Sequence, residues 1–579
     1  MDHQTSFFEF PERLRSWHKA APYGVLLGVT VAVYGVTAYF HFVWDDVYYI
    51  VQNVNIQELS LERLRAIWSS THLGHYAPVH VTFLALVYSI SGFDPFGYHV
   101  AQLLIHAASL CLLYYLLCKM ESPRIAFVAC LLFALYPPNI ETVAWVSESK
   151  STLALLFFLI SFWFFLRLRE TRMWNYGMWC GFFLALSLLS KVNTVVAPAI
   201  FLLWDYRQGS LTKDRARSLA ALFLISAAFV GIHLSSFYGS PETQSSSYYV
   251  SFWVHLMNLP RFVWFYVQKI VFPHSLSAWY MFQVDASWNA VLVGAWAALA
   301  VLLWLLSRGN RAVRFWGLWF LIFLAPVLQL FPFGIWVADR YLYIPAIGAF
   351  VLAGKGFFWI RERFTHRALA WGLDLAMASV LLLFGWSVTS HVGVWRNNVT
   401  LWGATVPGCD TSAYCHVSFG AALLEDGQTE RGIREMIRAV ELRDAAGYLM
   451  RLGDAYTNFA HDYRQAEVAY TAALSKTPVS MRAELYAKLA RSYLLAGDFP
   501  RARNALQAGM ETHPQEPSLW VVQAFLAWRE ADLARARESL GQALLLAGLP
   551  PDVGAYLGSV WGNGLEIREL LRSLQPPGG

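Results

Sequence analysis

Charge is scarce in this sequence. Only 14% of its 579 residues are Asp, Glu, Lys or Arg, against about 25% in a soluble domain, while 57% are apolar and 16% aromatic. That deficit excludes a single water-soluble globule, and the aromatic content excludes intrinsic disorder. Cysteine is scarce too, six in all, which excludes a scaffold built on disulfides. The net charge of +5 is too small to suggest nucleic acid, and no such partner is expected. What the chain has instead is a succession of apolar runs, with a mean hydropathy of +0.40. These features describe an integral membrane protein in contact with lipid.

Apolar stretches recur from about residue 22 to residue 391 and predict about eleven spans, near 22–41, 97–119, 124–138, 151–168, 174–190, 192–206, 216–237, 289–307, 313–332, 341–360 and 368–391. The first run follows Arg13, Arg15 and Lys19 and is not trailed by a small-residue cleavage site, so it reads as a retained span. The stretch 252–273 is long enough to cross but carries His255, Arg261, Lys269 and two prolines. Charge decides its placement. With 252–273 in the interface or re-entrant, one side collects the Lys and Arg clusters at 13–19, 119–124, 167–172, 207–217, 308–314 and 361–367. The other keeps only Arg63, Arg65, Lys150, Lys191 and Arg340. The N-terminus is then cytoplasmic and the polar tail external. The external face receives a long loop, 41–97, and the loops 137–150, 190–193, 238–249 and 333–341.

The expected architecture is all-α, with a polytopic helical bundle over 1–392, a connector at 393–412 and a tetratricopeptide-repeat solenoid over 413–579. Tyr486, Leu489, Ala490, Tyr493, Ala502, Leu506 and Pro514 reproduce the small-and-aromatic spacing of such a repeat. The equivalent small residues Gly420, Gly453, Ala490 and Ala524 follow one another at intervals of about 33, 37 and 34 residues. About four units would form a short solenoid able to bind a protein or peptide. Cys409 and Cys415 fall outside the cytoplasm in this topology, which leaves both a disulfide between them and two free thiols open.

Asp45 and Asp46 stand directly after the first span. Their spacing alone admits two readings, a polar pair anchored at the membrane surface or a general base with a neighbour that orients it. His75, His80, His99 and His106 show no recognised metal-ligand spacing. No metal site is assigned from them, although a divalent metal is compatible with the chemistry expected below.

The segments FVWDDVYYIVQNVNIQ (42–57), FDPFGYHVAQLLIHAASLCLLYYLL (93–117), ALYPPNIETVAWVSESKS (134–151), LLSKVNTVVAPAIFLLWD (188–205), VADRYLYIPAIG (337–348) and VWRNNVTLW (394–402) resemble the transmembrane-and-tetratricopeptide-repeat O-mannosyltransferases and their bacterial relatives. These belong to the GT-C glycosyltransferase superfamily. The resemblance implies an enzyme that passes a sugar from a polyprenyl-phosphate carrier to an acceptor hydroxyl on the periplasmic or lumenal face, by one inverting displacement. A protein Ser or Thr is the first acceptor to consider. Transfer to a lipid or envelope glycan and a non-enzymatic repeat scaffold are the alternatives.

The same resemblance makes Asp45 the base, with Asp46 positioning it. Glu141 would be a further catalytic carboxylate, or else a loop or capping charge. Arg340 offers a planar fork for the donor phosphate, or else makes a structural ion pair. Lys191 and Lys150 are further phosphate ligands. His75, Tyr76, Asp339 and Glu148 are candidates for substrate contact. Relatives often carry a base where Ser149 stands and an acid where Ser151 stands. The expected location is a bacterial inner membrane, or the endoplasmic reticulum membrane in a eukaryote.

Overall fold

The computed structural model describes residues 17–210, 212–239, 251–329, 335–364, 366–548, 553–562 and 564–574. Arg13, Arg15 and most of the loop expected at 238–249 lie outside them. Among the described residues every regular element is helical, and the one extended contact is an isolated bridge between His72 and His75. The chain divides into two compact units, Met1–Ala404 and Thr405–Gly579. Their boundary falls within 393–412, which is itself helical over Asn398–Thr405.

Among the described residues of the first unit six helical runs are long and apolar enough to cross a membrane: Ala20–Tyr39, Pro95–Met120, Val146–Thr171, Lys213–Ser235, Ala290–Arg308 and Arg367–Arg396. Each coincides with an expected span. The other five expected spans are also helical but shorter, Pro123–Ala134, Trp174–Ser190, Ala197–Arg207, Arg311–Leu324 and Pro345–Arg361. Hydropathy reads through points where the α-helix stops. One helix ends before Pro137 and Pro138, a 3-10 turn at Val192–Val196 precedes Pro198, and another helix closes at Pro326. A helix of 17 residues rises about 26 Å, less than the roughly 30 Å of a hydrocarbon core.

The outer surface of this unit is oily. The most apolar window of Arg367–Arg396 buries none of itself, and that of Ala290–Arg308 buries 6%. Leu382, Leu383 and Trp386 are left exposed on the former. Such bands are stable only with hydrocarbon around them, where helices satisfy their own backbone groups. Inside, aromatic rings fill the space between helices. Phe165 stacks on Phe201 at 4.7 Å and Phe158 meets Phe323 edge-on at 5.0 Å.

Buried carboxylates tie the loops assigned to the cytoplasmic side. Glu121 accepts from Arg207 at 2.7 Å, Lys355 at 2.6 Å and the Trp316 indole at 2.8 Å. Asp205 receives the Arg169 Nε at 3.0 Å on each oxygen. The questionable stretch 252–273 is a helix, Phe252–Val271, with Pro260 inside it. Its buried stripe includes His255, Asn258, Tyr266 and Lys269, while Trp253 and Trp264 point outward. It is not among the six runs apolar enough to cross.

The second unit is a stack of antiparallel helix pairs: Ala413–Glu425 with Thr429–Leu442, Ala446–Ala455 with Tyr463–Lys476, Ala483–Leu495 with Phe499–Thr512, and Pro517–Arg529 with Leu533–Leu546. The small residues that set the expected period, Gly420, Gly453, Ala490 and Ala524, are all buried where paired helices meet. A fifth pair, Val553–Trp561 and Gly564–Ser573, was not evident from the repeat pattern. Trp561 stacks on Phe525 at 3.8 Å and closes the end of the core.

At Gly453 a β-carbon would lie 2.6–2.9 Å from the Tyr470 ring. Gly453→Ala should therefore destabilise the repeat unit by about 1–3 kcal/mol through overpacking, read as a lower melting temperature. Cys409 and Cys415 form a disulfide. Alkylation without reductant should label neither, and should label both after reduction.

Candidate active site

The first loop begins where the 3-10 turn Gly35–Tyr39 hands over to extended chain. Trp44 then takes a left-handed conformation, φ 52°, and the chain turns through Asp45 and Asp46. Asp46 is fully buried. One of its oxygens accepts from the Val43 N–H at 3.0 Å. The other accepts from the Ser147 N–H at 2.7 Å and from the Ser147 hydroxyl. Burial pushes this carboxyl up to about 7, against the donors that favour its ionised form. Asp46 therefore staples the first loop to the turn Val146–Glu148.

Asp45 has a different environment. Its backbone carbonyl accepts from the Tyr48 and Tyr49 N–H groups, but no hydrogen-bond donor among the described residues reaches its half-buried carboxylate. Burial raises its pKa, as does the Glu148 charge, while the charges of Lys150 and Arg340 hold it down.

The second contribution comes from helix Asn139–Ala144, the turn after it, and the start of helix Ser149–Thr171. Glu141 is bound to Arg340 twice, through the Arg340 backbone N–H at 2.8 Å and through the guanidinium. Burial lifts its carboxyl to about 7, with the Arg340 charge opposing. Glu148 is the hub. One oxygen takes the Lys191 ammonium at 2.8 Å and the Ser151 hydroxyl. The other faces Lys150 at 3.5 Å and the Arg340 Nε at 3.6 Å. Lys191 also donates to Ser151 at 2.8 Å, so the serine where relatives often have an acid acts as a neutral bridge. Burial lowers the Lys191 pKa to about 8, and the charges of Lys150 and Arg340 push the same way.

Arg340 lies in the 3-10 turn Asp339–Leu342, walled by aromatic rings. Its guanidinium is 5.1 Å from the Tyr341 centroid, 5.5 Å from Trp145 and 5.9 Å from Trp44. Asp339 does not orient Arg340 directly. It accepts from the Tyr280 hydroxyl at 2.7 Å and faces Lys269 at 3.8 Å, and burial raises its pKa. Lys269 in turn donates to the carbonyls of His274 and Ser275. The loop after helix Phe252–Val271 is thereby braced on the residue beside Arg340.

His75 is exposed, with its ring 6.0 Å from that of His233. It lines a small pocket in the first loop together with Asn53, Asn55, Ser70, His72 and the apolar Ile67, Ala77, Pro78 and Val81. Tyr76 donates to the Trp68 carbonyl at 2.9 Å within the same loop. No group of three or more His, Cys, Asp or Glu side chains is placed to hold a metal ion among the described residues.

Thus Asp45, Glu141, Glu148, Lys150, Lys191 and Arg340 converge from four stretches of chain. Asp46 supports them from behind, Asp339 belongs to the neighbouring Lys269–Tyr280 network, and Tyr76 stays in its own loop. Tyr341, Tyr280, Lys269 and Ser147 were not anticipated as members of the constellation. Only Lys269, a cation in an apolar stretch, carried a signal in the sequence.

Residues 75–233 match the family described as dolichyl-phosphate-mannose-protein mannosyltransferase, and residues 460–525 match the tetratricopeptide repeat. The human protein O-mannosyl-transferase TMTC1 is 25% identical over 499 residues, covering 72% of this chain and 54% of its own length. The Caenorhabditis elegans protein O-mannosyl-transferase F38B6.6 is 24% identical, with coverages of 69% and 60%. Human protein O-mannosyl-transferase TMTC3 is 22% identical, with coverages of 80% and 56%. The chain thus resembles the transmembrane-and-tetratricopeptide-repeat O-mannosyltransferases over most of its length, while spanning little more than half of theirs.

Proposed function

We propose that this chain is a membrane glycosyltransferase that moves a sugar, mannose first among candidates, from a polyprenyl-phosphate carrier to a Ser or Thr hydroxyl of a protein. The observation that carries the reading is the contrast between Asp45, a carboxylate that no hydrogen-bond donor among the described residues reaches, and the three cations Lys150, Lys191 and Arg340 gathered on Glu148. A base and a phosphate cradle are what the displacement needs. The acceptor oxygen attacks the anomeric carbon as Asp45 takes its proton. The bond from that carbon to the phosphate oxygen breaks, and its electron pair leaves with the phosphate. The net charge of the site does not change, because the negative charge lost at Asp45 reappears on the leaving phosphate. The cations stabilise it there.

Arg340 is pre-aimed for this role by Glu141 and the ring walls, and Lys191 is held by Glu148 and Ser151. The three cations supply the charge that a divalent ion would otherwise bring, so a chelator should leave the rate within about twofold of its starting value, read in the same assay with and without added metal.

The disulfide Cys409–Cys415 supports a repeat unit in an oxidising space, periplasm or lumen. The repeats would hold the protein acceptor or a partner. The test is sugar transfer by purified protein from a panel of polyprenyl-phosphate sugars to Ser/Thr peptides, read as release of polyprenyl phosphate. Release from one donor that needs both Asp45 and Arg340 supports the reading. No release from any donor, in folded protein whose repeats still bind a partner, replaces it with a membrane-anchored scaffold.

A further inference from the structure

We infer that Asn398 is a positioning residue for Asp45, acting through the strained turn at Trp44. The inference rests on the reading of Asp45 as the base. Trp44 is a bulky residue held at φ 52°, a conformation that costs on the order of 1–3 kcal/mol and persists only where its surroundings impose it. The surroundings here are residues 395–402, which follow the last long helix. The Asn398 side-chain oxygen accepts the Trp44 N–H at 2.8 Å across 354 positions of sequence. Two residues earlier the Arg396 carbonyl accepts the His41 N–H at 2.9 Å. The Trp402 ring meets Trp44 edge-on at 5.3 Å, and Trp395 packs on Trp145 at 5.6 Å. Trp44 and Trp145 lie face to face at 4.7 Å, 5° from parallel.

The consequence falls on the residue in between. Trp44 is pinned from one side by Asn398, and Asp46 is pinned from the other by Val43 and Ser147. Asp45 is thereby fixed in place through its neighbours, and its own carboxylate stays available. A direct anchor on Asp45 would have consumed the lone pairs that a base needs. Without the Asn398 oxygen the part-buried Trp44 N–H loses that acceptor, the left-handed turn relaxes, and the Asp45 carboxylate moves relative to the phosphate cradle. The cradle itself stays, because Arg340, Lys191 and Lys150 are held by Glu141 and Glu148.

The test compares Asn398→Ala, Asn398→Asp and Asp45→Asn in the transfer assay, with thermal melting of each full-length protein. A displacement of about 1 Å at a reacting group costs about 100-fold. Asn398→Ala should therefore lose about 10- to 100-fold in kcat while the donor KM stays within about twofold and the melting temperature stays near wild type. Asn398→Asp, which keeps an oxygen at the same reach, should recover most of the rate. Wild-type kcat in Asn398→Ala beside an inactive Asp45→Asn overturns the inference and leaves Asp45 as the base. Wild-type kcat in Asp45→Asn overturns both. Equal damage by Ala and Asp, or a loss of rate that tracks melting, marks Asn398 as a structural residue and overturns the inference.

Discussion

Asp45→Asn should bind the polyprenyl-phosphate sugar and fail to transfer it. The amide keeps the size and polarity of the carboxylate but cannot take a proton, and a positioned general base contributes about 100- to 10,000-fold. The loss should therefore appear in kcat, while donor binding, governed by Lys150, Lys191 and Arg340, should remain within a few-fold of wild type. Titration of the wild-type enzyme gives an independent check. Burial raises the Asp45 pKa above its ordinary value of 3.8, and Lys150 is the first of the charges that hold it down. Because the base works only when ionised, activity should fall as the pH drops through that raised value. Lys150→Met removes an opposing positive charge, so its acid limb should move to higher pH. An acid limb that stays in place in Lys150→Met would mean that another group sets it.

Much of this arrangement was legible in the sequence, for a physical reason. In a chain with 14% charged residues, any charge retained outside the basic loop clusters is conspicuous, since burying it is costly unless it is paired. Asp45, Glu148, Lys191 and Arg340 stand out on that ground. Their pairing does not. Glu141 and Arg340 are 199 positions apart, and Asn398 and Trp44 are 354 apart, distances over which local pattern is silent. Asp45 and Asp46 look equivalent as neighbours in sequence. Only the donors placed around Asp46 reveal it as an anchor.

The same limit appears in the fold. The repeat period was visible because close helix packing demands small residues at fixed intervals. The terminal pair lacked that signature, since it closes the stack with Trp561. Span positions were readable from hydropathy, but their ends were not, because prolines and 3-10 turns shorten helices without making a run less apolar.

Removal of the Glu148 charge should have the largest effect on stability. Glu148 is 1% exposed and has the Lys191 ammonium at 2.8 Å, Lys150 at 3.5 Å and the Arg340 guanidinium at 3.6 Å. Glu148→Gln preserves the shape and removes the charge that the three share. A buried charge stripped of its partner costs about 3–5 kcal/mol, so the variant should melt well below wild type. Lys191 should respond first. Burial already brings its pKa down to about 8, and Glu148 is the chief charge holding it up. Loss of that carboxylate lowers the pKa further, and Lys191 should shed its proton below pH 8, so donor affinity in the variant should weaken as the pH rises from about 6 to 8. The phosphate cradle reading adds a sharper expectation. An anionic donor or product placed among the three cations would take over the role of the missing carboxylate. Polyprenyl phosphate at saturating concentration should therefore raise the melting temperature of Glu148→Gln more than that of wild type. Equal shifts in the two proteins would mean that the phosphate binds elsewhere, and that the Glu148 cluster serves only to hold the helices together.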